Sequence, residues 1–395
     1  MLGTAPPQFK HVIVIQQENR TVDNLFNGYP GADTVTSGMR NGKLVPLRKT
    51  PLQPTTSLDH SHKGFVEDYD DGKMDGFDHK NKGGTAYTYV RAADVKNYWT
   101  LASRFTLSDE TLQMNMGPSF PAHVYLVAAQ GGSPYAFAGN TQSGDGTGCL
   151  GWATVAYIDL RTAFPGKQSR GPACMDMPTL FDLLDTHGLG WRYYAPASGD
   201  GLLYWSAPDY IQHIAMGPDR QYLINPETRI LDDIAAGDLQ PVSFVSPAWC
   251  TSDHPRRSGY DPLGGPLWVA KITNAIGKSA YWSDTLILIT WDDWGGLYDH
   301  VAPAIINADS YGFRVPLIIV SAYPLGPGVV DHTARSQASI IAAIESIFNL
   351  GSLGQLDAAG DDLSADFDFS RRTRYGAPLP EATPPPYCNV QELPD

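Results

Sequence analysis

The chain has 395 residues, 42% of them hydrophobic and 18% charged, with a formal charge of −14 and a pI near 5.0. That length is ample for a large core, and the composition is that of an ordinary globular protein. Such acidity argues against a nucleic-acid partner, which needs clustered Lys and Arg, and no apolar run approaches the length of a membrane span.

The first ten residues, MLGTAPPQFK, carry neither a basic nor an apolar leader region. The expectation is either a cytosolic chain or a mature form whose leader has been removed. Residues 12–15, VIVI, predict a buried strand that runs at once into Gln16, Gln17, Glu18, Asn19 and Arg20. Asn41-Gly42, within 38–47, predicts a two-residue hairpin turn. Helical patterns are expected over 92–103, 178–185, 266–276 and 337–348. The last carries Ile340, Ile341, Ile344, Ile347 and Phe348 at helical spacing, suited to packing on a sheet. Pro266 fits the first turn of its helix and Gly277 its stop.

Further buried strands are predicted at 191–195, 242–245, 285–290 and 316–320. The segment 130–175, rich in Gly, Ser and Asp, reads as loop, and the C-terminal APLPEATPPPYCNVQELPD as extended chain. Strands alternating with helices, with no internal repeat and no linker, predict one α/β domain over 1–395 with long functional loops.

Four cysteines, Cys149, Cys174, Cys250 and Cys388, lack CxxC spacing. They read either as reduced thiols or as two disulfides. Cys149 and Cys174 flank a Gly/Pro-containing excursion, while Cys250 and Cys388 are placed to tie the C-terminal tail to the body. The expectation is two disulfides and hence a secreted or periplasmic location.

In open α/β sheets ligands bind beyond the carboxyl ends of the strands. Here the first predicted strand runs into Glu18-Asn19 and the fourth into Asp292-Asp293. The strand at 316–320 ends more quietly, at Ser321. Adjacent carboxylates repel unless a cation neutralises them. An Asp after a strand is also a common cap or turn former, but two such motifs in one chain favour a metal site at Glu18, Asn19, Asp292 and Asp293. Mixed Glu/Asn/Asp donors suit one hard divalent cation, Mg²⁺, Mn²⁺ or Ca²⁺, better than Zn²⁺.

In MNMGPSFPAHVYLV, Gly117-Pro118 and Pro121 make a rigid turn around Ser119. Local sequence alone reads this as an ordinary turn serine, and the absence of GxSxG speaks against an α/β-hydrolase triad. His60 and His62 in LDHSHKGF, His254 in SDHP and His300 in LYDHVAP sit beside expected loops. Lone histidines are usually structural, and no convincing spacing for a histidine-only zinc site is present.

Together these runs resemble the bacterial phosphoesterase family that holds phosphocholine-type phospholipases C and the acid phosphatases related to them. The resemblance is carried by HVIVIQQENRTVDNLF with GYPGADT, DHSHKGFVEDYDDGKMDGFD, FTLSDETLQMNMGPSFPAH, MPTLFDLLDTHGLGWRYYAP, SDHP, WDDWGGLYDHVAP, FRVPLIIVSAYP and DHTARSQASIIAAIESIFNL. They stand in the family's order over nearly the whole chain. The resemblance implies an alkaline-phosphatase-like α/β fold, with a central, mostly parallel β-sheet flanked by helices, a divalent cation and a hydroxyl nucleophile.

It places the nucleophile on Ser119, the cation ligands on Glu18, Asn19, Asp292 and Asp293, and the family's histidines on His60 and His254. His62, His123, Asp253 and His300 are expected to line the substrate. Where the family often continues the nucleophile turn as Pro-Asn-Arg, this chain reads Pro-Ala-His, leaving one phosphate contact unassigned and more for Arg20 to do. In the implied reaction the cation activates Ser119 and, with Arg20, stabilises the phosphoryl oxygens. His254 or His60 protonates the leaving alcohol and then activates water.

The leading expectation is an acid-phosphatase-type phosphomonoesterase working through a phosphoserine. Its motives are the acidic composition and a chain that stops after the catalytic region, without the long extension of the large haemolytic phospholipases. The runner-up is a phospholipase C cleaving phosphatidylcholine-like diesters, and a non-catalytic surface-binding protein on the same scaffold comes last.

Overall fold

The computed structural model describes residues 9–53, 57–79, 84–140, 148–196, 205–255, 264–305, 307 and 311–382. Its centre is an eight-stranded sheet of β1 (His11–Gln17), β2 (Thr106–Ser108), β3 (Trp191–Tyr194), β4 (Leu223–Ile224), β5 (Val242–Val245), β6 (Thr285–Trp291), β7 (Leu317–Val320) and β8 (Val329–Asp331). Their order across the sheet is β4-β3-β5-β1-β6-β7-β2-β8. Every neighbouring pair is parallel except the two that β7 makes, with β6 and β2. The α/β class with a mostly parallel central sheet is therefore as expected.

The five strands read from sequence are the contiguous run β3-β5-β1-β6-β7. Helices cover both faces of such a sheet, so its inner strands are continuous apolar runs. Residues 12–15 of β1 and all of β6 are fully buried. The three strands that sequence missed are two or three residues long and lie toward the edges, too short for any periodicity to register.

The helices that matter for the site are α1 (His62–Tyr69), α2 (Lys96–Arg104), α3 (Ser119–Ala128), α4 (Leu180–Thr186), α5 (Gly264–Lys278) and α6 (Ala338–Phe348). The apolar run after Ser119, left open between helix and strand, is α3. α4 starts two residues later than expected because Thr179 caps it, with its side chain and backbone both donating to Asp182 Oδ2. α5 does not stop at Gly277 but runs to Lys278. A Cβ at Gly277 would lie 2.2 Å from the Tyr375 ring, so that glycine admits the C-terminal segment rather than ending the helix.

Segment 130–175, expected as loop, holds a three-stranded antiparallel meander of Tyr135–Phe137, Thr154–Asp159 and Lys167–Pro172. One of its faces is open to water, so it carries few apolar residues and its composition imitates a loop. A Cys149–Cys174 disulfide staples it, with Cα atoms 4.7 Å apart. Cys250 is also disulfide-bonded, while Cys388 lies outside the described residues. The Asn41-Gly42 turn is present, with both residues at positive φ (47° and 71°) between Ser37–Arg40 and Lys43–Pro46. A large apolar cluster reaches from Phe9 to Leu379 across the sheet. A smaller one, around Phe65, Trp294 and Phe313, underlies the loops that carry His60. Among the described residues no helix is long and apolar enough to cross a membrane.

Candidate active site

β1 and β6 are parallel neighbours in a register that pairs Gln17 with Trp291. Their tips therefore end side by side, which sets Glu18-Asn19 against Asp292-Asp293. Asn19 turns the chain in the left-handed region (φ 57°), which Asn tolerates better than most residues. Its backbone N–H donates to Asp292 Oδ1 (2.7 Å) and its Nδ2 to Asp293 Oδ1 (2.8 Å). Gly295 donates its N–H to that same Asp293 oxygen (2.7 Å).

Ser119 opens α3, directly after Pro118. The turn before it is held by Gln113, whose Nε2 donates to Asn115 Oδ1 (2.8 Å) and to the Gly117 carbonyl (2.7 Å). The Ser119 hydroxyl donates to Asp293 Oδ2 (3.2 Å) and accepts from Asn19 Nδ2 (3.2 Å). Two strand tips and one helix start thus converge on one point, and each of the five side chains is at most 1% exposed.

Burying three carboxylates together is costly unless positive charge meets them. Burial, then the neighbouring acids Asp292 and Asp293, holds Glu18 far above the usual carboxylate range. Burial, with the charge of Asp293 second, pushes Asp292 up to about 8. Burial alone pushes Asp293 up to about 7, against several hydrogen bonds that oppose it. Glu18 Oε2, Asn19 Oδ1 and Asp292 Oδ2 are buried with no hydrogen-bond donor. Three orphaned oxygens beside clustered acids are a donor set for a hard divalent cation, and the residues fit one.

The two histidines assigned to proton transfer also come together, with ring centroids 5.9 Å apart. His60 donates Nδ1–H to the Leu58 carbonyl (2.7 Å) and His254 donates Nδ1–H to that of Pro255 (2.8 Å). In the neutral tautomers Nε2 is then the basic nitrogen of each. Aromatic rings that sequence did not single out surround them. His254 lies against Trp249 (4.7 Å) and Trp205 (6.1 Å), and His60 against Trp294 (6.3 Å). Isolated loop aromatics carry no periodic signal, which is why they went unread.

Five expected residues are placed elsewhere. Arg20 is fully buried, and its guanidinium donates to the backbone carbonyls of Leu52 and Asp253 rather than joining the cluster at Ser119. Burial lowers it to about 10, against the pull of the nearby Asp253 charge. The Asp253 carboxylate accepts from Tyr98 Oη (2.7 Å) and Trp291 Nε1 (2.9 Å), both on Oδ2, so that oxygen is engaged by interior groups. His62 sets Nδ1 2.8 Å from the Met116 carbonyl and Nε2 2.7 Å from that of Pro165, bracing the turn before Ser119 from outside.

His300 belongs to a second acidic group, with Nδ1 2.7 Å from Asp23 Oδ2. Asp23, Asp299 and His300 lie close enough to hold a metal. That position already has its cation: the buried Arg314 guanidinium, 2.8 Å from Asp299 and 2.9 Å from Glu110.

His123, expected to line the substrate, instead stands behind Glu18. Its Nε2 is 2.8 Å from Glu18 Oε1, and its ring is stacked parallel to Trp205 with centroids 6.3 Å apart. Burial pushes His123 down to about 3, so the ring is neutral. The signal for this placement was available, because residues four apart on a helix share a face and His123 is four beyond Ser119.

The Phosphoesterase family model matches residues 9–351 of the chain. The non-hemolytic phospholipase C of Burkholderia pseudomallei is 24% identical, over 86% of this chain and 55% of its own length. The hemolytic phospholipase C of Pseudomonas aeruginosa is 24% identical, over 86% and 53%. The non-specific phospholipase C3 of Arabidopsis thaliana is 30% identical, over 96% and 77%. The chain spans about half the length of the first two. Among solved structures, an alkaline phosphatase superfamily protein from Vibrio parahaemolyticus matches at 12% identity and a TM-score of 0.43, covering 91% of this chain and 71% of its own. A phosphonate monoester hydrolase of Agrobacterium radiobacter matches at 12% and 0.42, covering 92% and 79%.

Proposed function

The chain belongs to the phosphoesterase family, and from that premise we propose a metal-dependent phosphoric ester hydrolase that works through a phosphoserine at Ser119. The observation that carries this reading is the Ser119 hydroxyl, bonded to both Asn19 and Asp293 amid orphaned acidic oxygens. A divalent cation held by Glu18, Asn19, Asp292 and Asp293 supplies charge neutralisation and a lowered hydroxyl pKa when bound.

The chain's own groups do the rest. Asp293 Oδ2 receives the Ser119 hydrogen, which leaves an oxygen lone pair for phosphorus, and Asn19 Nδ2 steadies that oxygen. The bond from Oγ to phosphorus forms as the bond to the leaving alcohol breaks, and Nε2 of His254 or His60, protonated, gives that alcohol its proton. The same nitrogen, now unprotonated, takes a proton from water, whose oxygen displaces Ser119 Oγ from phosphorus, and Asp293 returns its hydrogen to that Oγ to regenerate the hydroxyl.

For substrate we infer the head-group phosphodiesters of phospholipids, the phospholipase C reaction. The relatives' names support it, as do Trp205, Trp249 and Trp294 beside the histidine pair, since aromatic faces attract quaternary ammonium groups. Phosphomonoesters are the second reading, favoured by the paired imidazoles, which suit the additional charged oxygen of a monoester. Chain length does not weigh in this choice. The Cys149–Cys174 disulfide supports a secreted or periplasmic setting.

The test is parallel turnover of p-nitrophenyl phosphorylcholine and p-nitrophenyl phosphate, with and without chelator, in wild type and Ser119→Ala. Acid-quenched wild type should retain phosphate on the protein. Turnover near wild type in Ser119→Ala would refute the nucleophile, and activity untouched by exhaustive chelation would refute the cation.

A further inference from the structure

The four oxygen ligands and Ser119 do not account for His123. Its Nε2 points at Glu18 Oε1 from 2.8 Å. Glu18, His123 and Asp292 each present one ligand atom, all within 4.8 Å of one another.

The other ring nitrogen bears on the nature of that contact. His123 Nδ1 lies 3.4 Å from the Tyr193 hydroxyl, whose own hydrogen goes to the Trp205 carbonyl at 2.9 Å. With the tyrosine oxygen an acceptor toward the imidazole, the tautomer with its hydrogen on Nδ1 is available. In that tautomer Nε2 is a lone pair facing a carboxylate oxygen, and two acceptors so close need a positive centre between them, a proton on Glu18 or a cation against both.

We propose that His123 Nε2 is a ligand of the same divalent cation as Glu18 and Asp292, which makes the centre a mixed nitrogen–oxygen site. This rests on the metal-dependent reading above. The added imidazole shifts metal preference from Mg²⁺ and Ca²⁺ toward Mn²⁺, Fe²⁺ and Zn²⁺. Tyr193 and the Trp205 carbonyl complete the arrangement by fixing the tautomer and the ring plane, the usual support for a ligating histidine.

The experiment strips the protein with chelator, adds Mn²⁺ alone and records electron spin echo envelope modulation. Wild type should show the ¹⁴N coupling of a directly bound imidazole. In His123→Gln the coupling should vanish and Mn²⁺ should loosen by roughly 100-fold or more, beyond the ~10–100-fold typical of losing a group that only orients a ligand. Mn²⁺ bound without nitrogen coupling overturns the proposal and leaves His123 as a hydrogen-bonded neighbour of Glu18. Coupling that survives in His123→Gln overturns it as well. Absence of any Mn²⁺ binding removes the metal-dependent reading itself, so the two failures are distinguishable. Where His123→Gln does not fold, His123→Asn takes its place in the same measurement, with the same two outcomes.

Discussion

Arg20 donates to the backbone carbonyl of Asp253 across 2.5 Å, joining the tip of β1 to the segment that carries His254. Both residues are fully buried, and the link fixes the backbone directly before His254.

Arg20→Met should therefore act first on stability. Losing the guanidinium leaves the buried Leu52 and Asp253 carbonyls unpaired, at about 1–3 kcal/mol each, which urea unfolding will register. Turnover per folded molecule should fall less than stability does. A variant with normal unfolding and collapsed kcat would instead put the guanidinium on the phosphate.

His254→Asn should separate leaving groups. General acid catalysis contributes roughly 10²–10⁴-fold, but only where the departing oxygen needs a proton. Phosphorylcholine esters of alkyl alcohols should lose about that factor, and p-nitrophenyl esters much less. Equal losses on both would mean that His254 does not supply the proton. His60→Asn, assayed in the same way, assigns the role between the pair.

The acidic cluster predicts a pH slope in chelated protein. Asp292 and Asp293, raised to about 8 and about 7 in the folded state, take up protons there that the unfolded chain, with ordinary carboxylates, does not hold. Between about pH 4 and pH 8 the native state binds more protons, so its stability falls as pH rises. Thermal unfolding after chelation should give a higher Tm at pH 5 than at pH 8, and added Mn²⁺ or Mg²⁺ should flatten the difference. A chelated protein whose Tm rises across that range would contradict the proposed cluster.

The meander offers a structural prediction. Its Phe137 ring packs 4.9 Å from Phe120, the residue after Ser119, and the Cys149–Cys174 bridge spans 25 residues. Replacing both cysteines by Ser should cost about 3–4 kcal/mol. Since the meander backs the helix that Ser119 opens, kcat should also decline under conditions where the fold persists. Unchanged urea midpoints would show the bridge to be dispensable.

The sequence made the middle of the molecule legible and its edges opaque. β5, β1 and β6 are buried on both faces, so their apolar runs have no other reading, whereas β2, β4 and β8 are too short to leave a pattern. Glu18, Asn19, Asp292 and Asp293 were visible because polar residues directly after a core strand must lie at its mouth. Arg20 gave the same signal and went the other way. The left-handed backbone at Asn19 redirects the next side chain into the interior, toward the carbonyls of Leu52 and Asp253, and nothing in the local sequence announces that turn. For His62 and His300 the sequence supplied proximity to loops but not a side, and backbone carbonyls and Asp23 claimed them. Trp205 and Trp249 are known only through contacts between distant segments.

Arg314 gives the protein an internal contrast. Two groups of buried acids lie within one fold: around Asp23 and Asp299 the positive charge is a side chain on the same polypeptide, while around Glu18 and Asp292 the proposed counter-charge is a cation from solution. One counter-charge is covalently tethered and the other exchangeable. On that reading the first acidic group is indifferent to the ionic composition of its surroundings and the second responds to it, so metal scarcity would silence the chemistry while leaving the neighbouring architecture in place.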